Sequence, residues 1–263
     1  MRLPLATIDQ AAVRQYNGDM HILALDTTTE ICSIALAADE RLLGEYNFAH
    51  LMDLSQRLMP NIVSLLKDSG LEVKDVQGIG VSLGPGSFTG LRIGITTAKT
   101  LAQVLKVPIA AVVTLDLLAY QFDYLPETLI CPLIKVRKGE VYYAFYRANR
   151  GSLERITEYE SGTIQDVAHS SLITHHSSPL THHSSLIICG DGAKVSAPIL
   201  KEVLGNRLVL APDWLSYPKA SILAKLAHEM ILREEIADPI SLVPFYIRKS
   251  APEVRLECSS ENE

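Results

Sequence analysis

The sequence has no two cysteines close enough to act as a pair. Cys32, Cys131, Cys189 and Cys258 form no C-x-x-C motif and mostly sit in apolar runs. They read as reduced, buried thiols of a cytoplasmic protein. A basic excess is also missing: 24 Lys and Arg stand against 30 Asp and Glu, a formal net charge of -6. That excludes a broad, self-sufficient nucleic-acid surface, though not contact shared with a basic partner. No apolar run is long enough to cross a bilayer, so no membrane role is expected. Residues 1–19 lack a positive-then-apolar order and are not a secretory signal. They read as a loose extension, or Met20 is the start. Catalytic sets are missing too. No helical stretch carries a His-x-x-x-His pair, and no Ser/His/Asp or Cys/His set has motif context. The paired histidines fall in a repeat, Thr174 to Ser178 and Thr181 to Ser185, that is serine-rich and without neighbouring carboxylates or cysteines. No catalytic residue and no metal ligand is therefore assigned, and 169–186 reads as a disordered insert.

What the chain does have is 263 residues at 48% hydrophobic composition, enough for one large domain or two ordinary ones. One stretch organises it, from Val76 to Ala102. Ile79 to Leu83 reads as a buried strand, Gly84-Pro-Gly86 as a turn, and the sequence from about Ser87 to before Pro108 as a helix. Ser87 and Thr89 stand where side-chain oxygens cap a helix and free amides gather. A strand, glycine-rich turn and helix in this order suit an anion; a tight structural turn without a ligand is the alternative. Along the helix Gly90, Gly94, Ala98 and Ala102 recur every four residues as one small-residue ridge. A glycine inside a helix costs about 1 kcal/mol relative to alanine, so something must approach that ridge closely. The sheet beneath, a helix of the same chain and a partner's helix all qualify.

Before this stretch, His21 to Ala37 reads as two strands around a polar corner at Asp26 to Glu30, and Arg41 to Phe48 as a third. Leu51 to Asp68 reads as a helix that Pro60 should kink or divide. Its Leu51, Leu54, Leu58, Ile62, Leu65 stripe suffices to dock on a sheet. Met52, Met59, Val63 and Leu66 form a second stripe, which suits either a further contact or a second element of the same domain. Later come a strand Ile109 to Val113, a helix Leu115 to Tyr124, and a boundary near Pro126. A hairpin turning at Arg137-Lys138-Gly139 follows, then a strand Leu186 to Cys189 ending in Gly190-Asp-Gly192. A short helix Ala197 to Leu204, a strand Leu208 to Ala211 and a long helix Lys219 to Arg233 complete the pattern. Three strands, then helix, strand, helix, strand, helix describe one half of an actin-like (ASKHA, RNase H-like) α/β fold with mixed sheets. That fold binds phosphate with an acidic first corner and a second glycine-rich loop. Asp26 and Thr27 with Gly84, Gly86, Ser87, Thr89 and Gly90 are the corresponding candidates. The alternative is that Asp26 closes its own turn through backbone hydrogen bonds.

Four segments resemble the motifs of the TsaB (YeaZ) family, in the family's order: Ile22-Leu-Ala-Leu-Asp-Thr-Thr-Thr-Glu, Gly84-Pro-Gly-Ser-Phe-Thr-Gly-Leu-Arg-Ile-Gly, Lys138-Gly-Glu-Val-Tyr142 and Pro244-Phe-Tyr-Ile-Arg248. The resemblance implies a duplicated actin-like fold with a degenerate second half. The implied map is a loose extension 1–19, a partner-binding domain 20–126, a second domain 127–248 holding the insert, and a polar tail 249–263. It also implies a non-catalytic subunit that binds TsaD directly, works with TsaE, and meets tRNA only through the complex. Homodimer formation when free and ATP or ADP at the TsaD interface belong to the same expectation. The implied partner surface is Met52, Met59, Val63 and Leu66 together with Gly90, Gly94, Ala98 and Ala102. The chain departs from the family pattern at Leu54, where a histidine is usual, at Lys135, where an aspartate is, and at Val113, where a serine is common. Thr28 also replaces a glycine usual in the first loop of the wider fold. A stand-alone ATP-dependent enzyme built on Asp26 and the Gly84 to Gly90 loop is the competing reading. It is disfavoured by Thr28 and by the lack of a general base beside Asp26.

Overall fold

The computed structural model describes residues 19–50, 52–137, 139–177 and 185–247, with only the backbone for 172–177. Most of the N-terminal extension, Leu51 of the expected first helix, Lys138, 178–184 of the insert and the tail from 248 lie outside the described residues.

The first half opens with a meander: β1 (His21–Asp26), β2 (Ile31–Ala38) and β3 (Arg41–Ala49). Helix α1 (Leu54–Asp68), β4 (Gly78–Ser82), α2 (Phe88–Leu105), β5 (Ile109–Val112) and α3 (Thr114–Tyr120) follow. The sheet order is β3-β2-β1-β4-β5, antiparallel through the meander and parallel from β1 to β5. The central strands read as unbroken apolar runs because both faces are covered, whereas the edge strand β3 is partly exposed along its length. Pro60 does not divide α1, which runs unbroken for 15 residues.

The second half repeats the plan. It contains β6 (Thr128–Arg137), β7 (Glu140–Tyr143), a short pair β8 (Tyr146–Asn149) and β9 (Ser152–Arg155), and then β10 (Glu160–Thr163). Next come α4 (Ile164–Ser177), β11 (Leu186–Cys189), α5 (Ala193–Leu204), β12 (Leu208–Leu210) and α6 (Ala220–Leu232). The path β10-β7-β6-β11-β12 has the order of the first sheet, with β8 and β9 as an added flap on β6. This is the duplicated actin-like fold. The strand that leaves the hairpin turn is interrupted at Ala144-Phe145, between β7 and β8, where Phe145 turns its backbone to Thr157 and Ile156. The insert differs from its expected disorder: 169–177 continues α4. Ile164, Val167, Ala168 and Ser171 stand at helical spacing and are buried, which anchors a helix that the serine-rich composition conceals.

The last helix of each half crosses over. Helix α3 packs on the second sheet, with Leu115, Leu118, Ala119 and Phe122 against Ile130, Ile134 and Cys189. Helix α6 packs on the first, with Ala220, Leu223, Ala224, Ala227 and Ile231 against Ile22, Ala24, Ala35 and Ala110. Its start is also tied down: the Ala220 amide donates to Ser33 Oγ at 2.9 Å, and the Ser221 amide and hydroxyl donate to Glu45 Oε1 at 2.9 Å. A carboxylate there also suits the positive end of the helix dipole. Ala237, Leu242 and Phe245 then return to the first core. The boundary at Pro126 therefore separates the two sheets but not the two cores. Among the described residues no helix is long and apolar enough to cross a membrane.

Candidate functional site

The C-terminal ends of β1 and β4 bring together the two loops singled out in the sequence. Ser87 caps α2 by accepting the Gly90 amide at 3.2 Å. The corner after β1 lies directly on this turn. The Ser87 amide donates to the Thr28 carbonyl at 2.7 Å, and Thr27 Oγ1 donates to the Gly90 carbonyl at 2.8 Å. A Cβ at residue 90 would lie 2.0 Å from the Thr27 carbonyl oxygen, and one at residue 94 would lie 2.1 Å from Thr27 Oγ1. A Cβ at residue 86 would stand 2.4 Å from the Thr28 carbonyl oxygen. The glycines are needed because the chain's own backbone occupies the space beside them.

Asp26 is fully buried beneath this contact. Its carboxyl accepts the Thr28 amide at 3.2 Å and the Thr28 hydroxyl at 3.1 Å, so it closes its own turn. Burial pushes the carboxyl up to about 6, against the opposing pull of neighbouring Ser82 and of Thr28. The buried Ser82 hydroxyl has no hydrogen-bond partner of ordinary geometry among the described residues. Cys32 on β2 is buried nearby, and that burial, with the Asp26 charge, pushes its thiol up to about 12. Cys32, Cys131 and Cys189 are free and inert by this environment.

The raised carboxyl has a consequence for stability. The folded state holds the Asp26 proton more tightly than the unfolded chain does. Its contribution is therefore fully present below about pH 4 and is lost as pH rises through about 6, by on the order of 3 kcal/mol. Asp26→Asn should remove this dependence while retaining an acceptor for the Thr28 amide. Paired thermal melts from pH 4 to pH 7 should show the wild type losing ground to the variant; parallel curves would refute the assignment.

Asp26, Thr27, Gly84, Gly86, Ser87 and Gly90 thus come together, with Thr89 exposed at the rim. They meet one another through direct contacts between the two loops. The Ser87 and Gly90 amides are committed to the Thr28 carbonyl and the Ser87 hydroxyl. The partner-surface residues separate into two groups. Met52, Met59 and Val63 are exposed, at 97%, 37% and 49%. Leu66 is core at 1%, reaching only the floor of a shallow groove of about 400 Å³ lined by Val63, Leu71 and Val73. Gly90, Gly94, Ala98 and Ala102 are all buried against the chain's own corner and sheet. The ridge and Leu66 are therefore corrected from partner surface to intrachain packing. The small-residue spacing signalled a close approach but not whose backbone approaches.

Two assemblies escape the sequence. Asp116 on α3 accepts the hydroxyls of Tyr146 at 2.7 Å and Tyr159 at 2.6 Å, tying the first half to the second sheet. Phe88 and Tyr246, from motifs more than 150 residues apart, lie with ring centroids 6.0 Å apart, and the Phe245 amide donates to the Leu83 carbonyl at 2.8 Å. Both residues stand in the quoted motifs, and that was the available signal.

Comparison with known proteins gives four matches. Residues 52–255 match the family model described as TsaD: tRNA N6-adenosine threonylcarbamoyltransferase. The tRNA threonylcarbamoyladenosine biosynthesis protein TsaB of Bacillus subtilis is 33% identical over 90% of this chain and 97% of its own length. The protein of the same name from Escherichia coli is 33% identical over 88% of this chain and 96% of its own. Among solved structures, YeaZ from Pseudomonas aeruginosa superposes with a TM-score of 0.70 at 27% identity, covering 87% of this chain and all of that one.

Proposed function

The chain belongs to the TsaB (YeaZ) family, and on that premise we propose that it is a non-catalytic subunit of tRNA threonylcarbamoyladenosine biosynthesis. It binds TsaD and, with TsaE, supports transfer of the threonylcarbamoyl group from threonylcarbamoyl-AMP to the adenosine next to the anticodon. The observation that carries the non-catalytic part is the closed pair of loops. Where an actin-like ATPase would seat phosphate, this chain seats Thr27 and Thr28, with the Thr28 carbonyl 2.7 Å from the Ser87 amide. The exposed Met59 and Val63 face beside the apolar groove supports docking to TsaD. On this reading ATP or ADP belongs to the surface shared with TsaD rather than to this chain's own turn, and tRNA is engaged only in the complex.

The test is co-purification with TsaD followed by reconstitution of the tRNA modification, with ATP turnover measured on the isolated chain. The chain alone should hydrolyse no ATP above background, while its addition should restore modification by TsaD and TsaE. Asp26→Ala should then remove no chemical activity of the isolated chain, with any effect on modification appearing only in the assembled system. Robust hydrolysis by the isolated wild type, abolished in Asp26→Ala, would replace this reading with the stand-alone enzyme.

A further inference from the structure

We propose that the exposed cluster of Phe88, Arg92 and Tyr246 is a contact surface for an unpaired stretch of the tRNA. A base would lie against its rings and a phosphate on the Arg92 guanidinium. This rests on the tRNA reading above and extends it to a place on this chain.

Phe88 begins α2 and is 49% exposed; Tyr246 on the returning C-terminal segment is 38% exposed. Their ring planes are tilted by 31°. One helical turn after Phe88, the Arg92 guanidinium carbon stands 3.9 Å from the Phe88 ring centroid. Cation–π attraction holds the guanidinium over the ring, and its N–H donors remain available to an oxyanion. Arg155 stacks similarly on Tyr159 at 4.0 Å, but its charge is paired with Glu158 at 3.3 Å. Among the described residues no carboxylate stands within ion-pair distance of Arg92, whose recorded contact is the Phe88 ring.

Two part-exposed rings with an arginine over one of them match the way proteins grip unpaired nucleotides: bases stack on aromatic faces and phosphates meet arginine. Charge complementarity favours RNA over an apolar protein surface, which would leave Arg92 buried and unpaired. The exposed Ser87 and Thr89 hydroxyls flank the cluster and suit a sugar–phosphate backbone. One such patch adds to tRNA affinity without gripping tRNA by itself, consistent with the acidic balance of the chain.

The experiment uses the full chain assembled with TsaD, with binding of unmodified tRNA measured by fluorescence anisotropy. The double variant Phe88→Ala, Tyr246→Ala should weaken tRNA binding at least tenfold, and Arg92→Glu comparably, with Arg92→Lys retaining part of the affinity. Assembly with TsaD, followed by analytical ultracentrifugation, and the thermal melt of the free chain should be unchanged. Unaltered tRNA affinity in the double variant would overturn the proposal, as would a parallel loss of TsaD assembly, which would make the cluster a protein contact. A wild-type complex that binds TsaD but has no tRNA affinity would also overturn this surface. A wild-type chain that fails to assemble with TsaD at all would instead sink the functional reading beneath it.

Discussion

Residues 20–126, produced alone, should fail to fold, although they hold a complete five-stranded sheet. One face of that sheet is covered by α6, which lies beyond position 126 in the sequence. Leu223, Leu226 and Ile231 are its large buried residues. At about 1.5–3 kcal/mol for each buried aliphatic side chain, their loss removes roughly 5–9 kcal/mol. Whole domains are stable by only about 5–15 kcal/mol. The fit is close as well: a Cβ at Gly80 would lie 2.8 Å from Ala227 Cβ, so β4 and α6 touch nearly backbone to backbone. The truncated piece would expose Ile22, Ala24, Ala35 and Ala110 to water while stranding Leu115 and Leu118 of α3 without their sheet. The expected outcome is an insoluble or molten fragment with no cooperative melt. Co-expression of 127–263 as a separate chain should rescue it, because each piece carries the helix the other needs. A soluble, monomeric 20–126 fragment with a sharp melt would show that α6 is dispensable.

This exchange was the part of the fold least legible in the sequence. Periodicity says that a helix has a buried face, but not which sheet covers it. The pattern of strands and helices was readable because the core strands are unbroken apolar runs and the helices have clear stripes. The flap of β9 and the edge strand β10 were not. Ser152-Leu-Glu-Arg155 and Glu160-Ser-Gly-Thr163 are short, polar and half exposed, so they carry no alternation. At the site, the residue types were legible and their relation was not. Asp26, the glycines and Ser87 could be assigned to one cluster, yet a glycine-rich turn admits a ligand or a neighbouring loop equally well. Only the position of the Thr27 and Thr28 carbonyls decides which. The small-residue ridge has the same ambiguity, settled by a 2.1 Å approach of Thr27 Oγ1 to the would-be Cβ of residue 94. Leu66 was misplaced for a simpler reason: α1 has a wide apolar arc, and the border between core and surface runs through it, between Val63 and Leu66.

Met59→Glu should separate folding from partner binding. In the free chain Met59 is 37% exposed and its neighbour Val63 is 49% exposed, so a carboxylate at 59 can remain in water. Surface substitutions of that kind usually change stability by about 0.5 kcal/mol or less, and the circular dichroism melt should barely move. Docking of TsaD over this face would bury the same carboxylate without a partner. Breaking or lacking one member of a buried pair costs on the order of 3–5 kcal/mol. TsaD binding, read by calorimetry, should therefore weaken at least tenfold, which needs only about 1.4 kcal/mol. Any self-association of the free chain over the same apolar face should shift toward monomer in parallel. Leu58→Glu, one residue away, is the control for the opposite case. Leu58 is 1% exposed in the core beneath α1, and a charge there should abolish folding outright. A sharp drop in the Met59→Glu melt, with the surviving folded fraction binding TsaD normally, would place Met59 in the core and the interface elsewhere. An unmoved melt together with unmoved TsaD affinity would leave α1 folded as described but remove its outer face from the partner surface.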